Sequence, residues 1–264
     1  MSTQNFFTPK RLILALFNSS QIEEIEVRTL IECAKVFEIE PAATRVAVGR
    51  LIKDQIIISV ARGLYKIGPK GAQLVDQASK WSSIEDRLKQ WDKRWLTVHT
   101  AHLGRSNKTS LRARERALRL NGFAELSQDL WCRPDNFHET IEETLARLTL
   151  AGLDCNAILM NVCYFPKQTT QRMSSLWPIK QIEDDYKQSI QKLESSIARL
   201  KLINIEDAIQ ESLMLGDTVI KQINSDPVLP YEMIDTNLRA QLIDSMCIYN
   251  NYGCQIWTDF LQNL

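Results

Sequence analysis

Pro41-Ala42-Ala43-Thr44-Arg45-Val46-Ala47-Val48-Gly49-Arg50-Leu51-Ile52-Lys53-Asp54, continued by Gln55 to Gly68, is the stretch that decides the fold. Ala47, Val48, Leu51 and Ile52 recur at the spacing of one buried helix face, and Pro41 suits a first helical turn, where its missing N–H is unpaired anyway. Arg45, Val46, Gly49, Arg50 and Lys53 turn the other way. Glycine inside a helix costs about 1 kcal/mol against alanine, so Gly49 asks for a reason: a bulky side chain there would hold the helix away from a partner. After Asp54 the pattern becomes strand-like. Ile56-Ile57-Ile58-Ser59-Val60 and Leu64-Tyr65-Lys66-Ile67 flank Ala61-Arg62-Gly63, which reads as a hairpin with a basic tip. A helix with a cationic outer face followed by such a hairpin is the recognition helix and wing of a winged helix-turn-helix. Upstream, Pro9–Phe17 and Glu26–Phe37 carry helical periodicity, with a break expected at Asn18-Ser19-Ser20.

Length and charge bound the rest. At 264 residues the chain holds two or three small domains. Its net charge is zero, but residues 41–80 hold seven Lys/Arg against two Asp/Glu, residues 87–119 ten against two, and residues 178–264 seven against thirteen. Two basic stretches and an acidic tail point to a polyanionic partner at one end. The six cysteines form no Cys-x-x-Cys pair, which argues against a zinc site and against a secreted disulfide framework. The apolar run Leu12–Phe17 is too short for a signal peptide or a membrane span. A soluble, cytoplasmic protein is expected.

The middle of the chain reads as a strand opening at Trp91-Asp92-Lys93-Arg94-Trp95 and running through Leu103. A basic helix (Ser110–Leu120), extended chain (Phe123–Arg133), an amphipathic helix (Glu139–Leu150) and an apolar strand (Ala157–Tyr164), expected to be buried on both faces, follow. That is the order of a ferredoxin-like α+β domain. From Trp177 onward only helices are expected, two of them after the rigid Asp226-Pro227-Val228-Leu229-Pro230. Tyr186, Ile190, Leu193, Ile197 and Leu200 form a short heptad seam that packs either on its own domain or on a symmetry mate.

These motifs, in this order, resemble the PaaX-like repressors, the transcriptional regulators of phenylacetic acid catabolism in bacteria. Ala43 to Leu51 stands where that family has its recognition helix, Gly63-Leu64-Tyr65-Lys66-Ile67 at its wing, and Trp91 to Trp95 at its Trp-Asp-Gly-x-Trp. Leu111-Arg112, Gly122-Phe123 and Leu130-Trp131-Cys132-Arg133-Pro134 match the middle domain. Trp177-Pro178, Tyr186 and Asp226 to Pro230 match the carboxyl end. The resemblance implies a multidomain α+β protein: a winged helix (1–80), a ferredoxin-like domain (81–175) and a helical carboxyl domain (176–264). It implies a homodimer on double-stranded operator DNA, released by an acyl-CoA effector such as phenylacetyl-CoA. Gly49 replaces the family's usual serine and Lys93 its usual glycine; the expected Trp-x-Gly after Pro230 is absent.

Arg45 and Arg50 are the candidates for base edges or phosphates, since a guanidinium can bond guanine O6 and N7 together. Lys53, Arg62 and Lys66 are candidates for phosphate, and Thr44, Val46 and Gly49 complete the DNA-facing set. Arg105, Lys108, Arg112, Arg116 and Arg119 supply either the phosphate ligands of a CoA ester or a solvated face. No catalytic residue, metal site or cofactor is expected. His99 and His102, three apart on one strand, should face opposite sides. The middle domain also looks like the small ferredoxin-like nuclease of CRISPR adaptation, which carries an aspartate near the end of its first strand. Leu96 to Leu103 has no acid, so an enzyme is not expected. A nuclease-like nucleic-acid-processing protein and a winged helix that binds protein rather than DNA are the alternative readings.

Overall fold

The structure, a computed structural model, describes residues 8–19 and 22–264. It is mixed α and β, with helix predominating and two small antiparallel sheets. The chain gathers into two units. One comprises the chain up to Ser82 with 191–218 and 244–264; the other comprises 83–190 with 219–243. The segment 176–264 is therefore shared between them.

In the first unit α1 (Pro9–Ser19) begins with proline in its first turn, and the Arg11 N–H donates to the Thr8 carbonyl. Ser20, part of the expected break, lies outside the described residues. A three-residue strand, β1 (Glu24–Glu26), leads into α2 (Val27–Lys35) and then α3 (Pro41–Lys53). In α3, Thr44, Val48 and Leu51 are buried on the side that packs on α1 and α2. The buried face is thus rotated from expectation: Ala47 is half-buried and Ile52 is exposed. Burying a side chain such as Leu51 contributes about 1.5–3 kcal/mol. The hairpin of β2 (Ile57–Ala61) and β3 (Leu64–Ile67) follows, with Gly63 supplying the positive φ of 77° at its turn. β1 pairs with β3, giving the order β1-β3-β2. Next comes α4 (Pro69–Ser79), where a Cβ on Gly71 would lie 2.1 Å from the Ile56 carbonyl oxygen. The expected helical connector to Leu88 stops at Ser79 and gives way to two short 3-10 turns.

The second unit is built on β4 (Trp95–His99), α5 (Lys108–Leu120), β5 (Ala124–Ser127), β6 (Leu130–Pro134), α6 (Ile141–Leu150) and β7 (Ile158–Val162). Its strands are antiparallel in the order β5-β6-β4-β7. Leu96, Val98 and Trp131 form one core with Ala117, Leu118, Phe123 and Leu148 from the helical layer and its approaches. β4 is shorter than expected at both ends. Before it, Lys93 at φ 71° and the Trp91 indole N–H, 2.6 Å from the Arg94 carbonyl, make a turn. After it, Thr100 leaves the strand and its N–H donates to the Asp129 carbonyl at 2.9 Å. The strand buried on both sides is β4; β7 is an edge strand, with Ile158 48% and Met160 37% exposed. A continuous apolar run does not tell those two cases apart.

The rest is helical: α7 (Lys167–Ser174), α8 (Ile179–Leu200), α9 (Ile205–Asn224) and a single final helix, α10 (Thr236–Gln262). Gly253 does not break α10, because it serves close packing: a Cβ there would lie 3.6 Å from Ser212. The heptad seam is used within the chain. Tyr186, Leu193 and Leu200 are buried, and the Ser189 hydroxyl donates to Gln222 at 2.6 Å. The first unit is completed by Phe37 stacking on Trp257, with ring centroids 6.4 Å apart, and by Gln210 donating to the Val36 carbonyl. In the second unit the Asp226–Pro230 turn is held by Tyr186 and the Val228 N–H donating to Asp226. Asn136 donates to the Val228 carbonyl at 2.8 Å and Arg239 to the Leu229 carbonyl at 2.9 Å. Among the described residues no helix is long and apolar enough to cross a membrane.

Candidate functional site

The extended backbone at Glu40 and Pro41 in the first turn start α3, and packing of Thr44, Val48 and Leu51 fixes its rotation. That rotation leaves Arg45, Val46, Gly49, Arg50 and Lys53 exposed. Arg62 lies at the hairpin turn and Lys66 on β3, both exposed. Among the described residues no carboxylate forms an ion pair with Arg45, Arg50, Lys53, Arg62 or Lys66. Glu24 is the cross-strand neighbour of Lys66. Above Gly49 there is open space: a Cβ built there meets nothing within 4 Å, so no contact inside the chain calls for glycine. Val46, 55% exposed, adds an apolar surface between the cations. Thr44 does not belong to this face. It is 1% exposed and its hydroxyl is directed to the Glu40 carbonyl, so it packs rather than binds.

The second candidate set lies on and before α5. Asn107 caps the helix, accepting from the N–H groups of Thr109 and Ser110 at 3.1 Å each. Lys108, Arg112, Arg116 and Arg119 are exposed, and Arg119 rests over the Trp131 ring at 4.9 Å. Arg105 is otherwise engaged: its guanidinium meets Asp129 at 2.7 Å and Glu115 at 3.6 Å, which neutralises it locally. Arg114 points inward, 4% exposed, and donates to the Gly104 carbonyl.

Sequence reasoning missed a buried cationic cluster in the second unit. Arg133, quoted above only as part of a motif, is 2% exposed. It donates to the Asn121 carbonyl at 2.6 Å, to Asn136 Oδ1 at 3.1 Å and to the Pro134 carbonyl at 3.2 Å, and it lies 4.4 Å over the Phe137 ring. Burial pushes its pKa down, as does the charge of Arg147. Beside it Glu139 is held by Arg87 at 2.5 Å and Arg147 at 2.7 Å. Burial works to raise the Glu139 pKa, but the two guanidinium groups win and hold it below the ordinary carboxylate value. A depressed folded pKa means stability that is present above the unfolded value and lost as pH falls through the folded one. Glu139→Gln is therefore expected to flatten the acid limb of a stability–pH profile in that window; an unchanged limb by urea titration overturns this.

His99 and His102 do not sit on opposite sides of one strand. His102 lies in the turn after β4, the two rings stack at 5.6 Å, and His102 Nε2 is 2.8 Å from the Asn156 carbonyl. Among the described residues no three His, Cys, Asp or Glu side chains gather as a metal site. All six cysteines are free, and burial pushes the thiols of Cys33 and Cys132 up to about 12, out of reactive range.

No family model matches the chain, and no curated protein matches it. Among solved structures it is similar to an uncharacterized protein, Rv0674 from Mycobacterium tuberculosis, at 15% sequence identity and a TM-score of 0.62. The match covers 93% of this chain and 98% of that one. At this identity the likeness concerns the fold.

Proposed function

We propose that the chain is a DNA-binding transcriptional repressor, cytoplasmic and dimeric, that controls a catabolic operon and is released by an acyl-CoA effector. Three observations support this reading. The succession α1-β1-α2-α3-β2-β3 with sheet order β1-β3-β2 is that of a winged helix-turn-helix, with α3 as recognition helix. The β-α-β-β-α-β run with order β5-β6-β4-β7 is that of a ferredoxin-like domain. The observation that carries the reading is the outer face of α3: Arg45, Arg50 and Lys53 without ion-pair partners, beside a glycine that nothing in the chain requires.

In this reading Arg45 and Arg50 bond guanine edges in the major groove, and Val46 offers an apolar contact of the kind thymine methyl groups take. Lys53, Arg62 and Lys66 hold phosphates. Lys108, Arg112 and Arg116 are the cations left for the effector's phosphates. The effector itself, phenylacetyl-CoA from phenylacetate or related aromatic degradation, rests on the family resemblance. Release follows if the effector binds the DNA-free form better.

The test is fluorescence anisotropy on duplexes from upstream of the chain's own gene, at two salt concentrations, with and without phenylacetyl-CoA, free CoA and phenylacetate. Tight, steeply salt-dependent binding reversed by the thioester alone is expected. Sequence-independent or salt-insensitive binding overturns the repressor reading; binding indifferent to the thioester removes that effector. Gly49→Ala separates the glycine's two roles in the same assay. It should raise helix stability by up to about 1 kcal/mol while weakening DNA binding, because the added methyl intrudes on the docking face.

A further inference from the structure

Four strands border the two sheets: β1 and β2 in one, β5 and β7 in the other. An exposed sheet edge offers unpaired N–H and C=O groups to any other strand, and folded proteins guard such edges with charge, brevity or a bulge. Three of these four are guarded. β1 is three residues long and two of them are glutamates. β2 shifts register between Ser59 and Ala61, and β5 between Glu125 and Ser127.

β7 has no guard. Its ladder with β4 runs without a shift from His99↔Ile158 to Trp95↔Val162. From Asn156 to Phe165 there is no charged residue, and the first proline comes at 166. Among the described residues no backbone hydrogen bond reaches its free side. Alternation puts Ile158, Met160, Val162 and Tyr164 on one face of the strand direction, and three of them are exposed, by 48%, 37% and 76% in the order Ile158, Met160, Tyr164.

We propose that β7 is the pairing edge of a homodimer, occupied by β7 of a second copy. The pairing is antiparallel about a two-fold axis at Met160, with Ile158 opposite Val162 of the other copy. It joins the two four-stranded sheets into one of eight. A second β7 is the occupant because every other strand edge the described chain offers is guarded against pairing, whereas β7 is neutral and meets its own copy without like charges. The two-fold register pairs all five residues on both sides. It also closes: each copy uses its one open edge on the other, so no edge is left to propagate a filament. The argument stands on the strand edges and holds whether or not the chain binds DNA.

Two measurements on the full chain decide it. Sedimentation of the wild type should show a dimer, twice 30.4 kDa, and Met160→Lys should weaken dimerisation by ~10-fold or more, since two lysines then face each other across the axis. Ser127→Lys on the guarded β5 should leave it unchanged. Met160→Cys should form an intermolecular disulfide on oxidation, because directly opposed residues of antiparallel strands have Cα atoms about 4.5–5.5 Å apart, within disulfide reach. That variant is made with Cys155→Ser and Cys163→Ser, which remove the exposed native thiols. It tests the register even if Met160→Lys folds poorly. A monomeric wild type, or a dimer that neither Met160→Lys weakens nor Met160→Cys cross-links, overturns the proposal.

Discussion

Arg133→Met should cost about 3–5 kcal/mol in urea-induced unfolding, among the largest effects of any single substitution in the second unit. Replacing a buried ion pair with apolar side chains is often neutral when both partners are removed. Here the acceptors stay. Two of them are the main-chain carbonyls of Asn121 and Pro134, which no side-chain substitution takes away, and the third is Asn136 Oδ1. Each buried acceptor left without a donor costs about 1–3 kcal/mol. Methionine keeps some contact with Phe137 but loses the cation over its face. Arg133→Lys should not restore stability, because an ammonium lacks the planar fork that spans three acceptors. Arg119→Met, which removes an exposed guanidinium from the Trp131 face, should cost no more than about 1 kcal/mol. Equal losses for Arg133→Met and Arg119→Met would show that the buried bonds contribute nothing beyond cation–ring contact.

Arg45→Ala and Arg50→Ala should each lower affinity for the specific sequence by ~10–100-fold, the 1–3 kcal/mol of a lost bidentate base contact. Neither should change affinity for a scrambled duplex by as much. Lys53→Ala, Arg62→Ala and Lys66→Ala should weaken both duplexes alike and reduce the slope of log K against log salt by about one each. Anisotropy titrations on both duplexes at several salt concentrations separate the two patterns. If Arg45→Ala and Arg50→Ala weaken specific and scrambled DNA equally, the two arginines hold phosphate and sequence is read elsewhere. The exposed position of both, without carboxylate partners among the described residues, means that neither substitution breaks an internal bond seen in the structure.

How much of this could be read from sequence depends on the element. The ends of α3 were legible because Pro41 opens it and Asp54 follows its last turn, and its cationic face was legible because the exposed side of a helix is set by periodicity. Its inner face was only partly so: Thr44 fills a core position through its methyl while returning its hydroxyl to Glu40, and a polar residue gives no such signal in a pattern of apolar ones. β1 was invisible, since three residues with two glutamates resemble a loop and only pairing with β3 makes them a strand. β4 and β7 exchanged roles for a related reason. Trp95-Leu96-Thr97-Val98 is less apolar than the β7 run, yet it lies between two neighbours, and position in a sheet is decided by long-range pairing. The Arg133 cluster was missed because a charged residue on a strand reads as solvent-facing until its acceptors, far away in sequence, are known. Arg105 was assigned to a ligand because Asp129 and Glu115 approach it only in the fold.

The discontinuity of the first unit has a bearing on synthesis. Its helices α1 to α3 leave the ribosome early, but Trp257, against which Phe37 stacks, emerges near the end of the chain. At about 5–20 residues per second that interval is roughly ten to thirty seconds. For that time the apolar flank at Phe37 lacks its cover, open to chaperones and to aggregation. The same arrangement means that a fragment cut after Ser82 would carry the whole recognition helix and hairpin while exposing ring surface that the complete chain hides, so the shortest faithful version of the DNA-facing unit is the full-length protein.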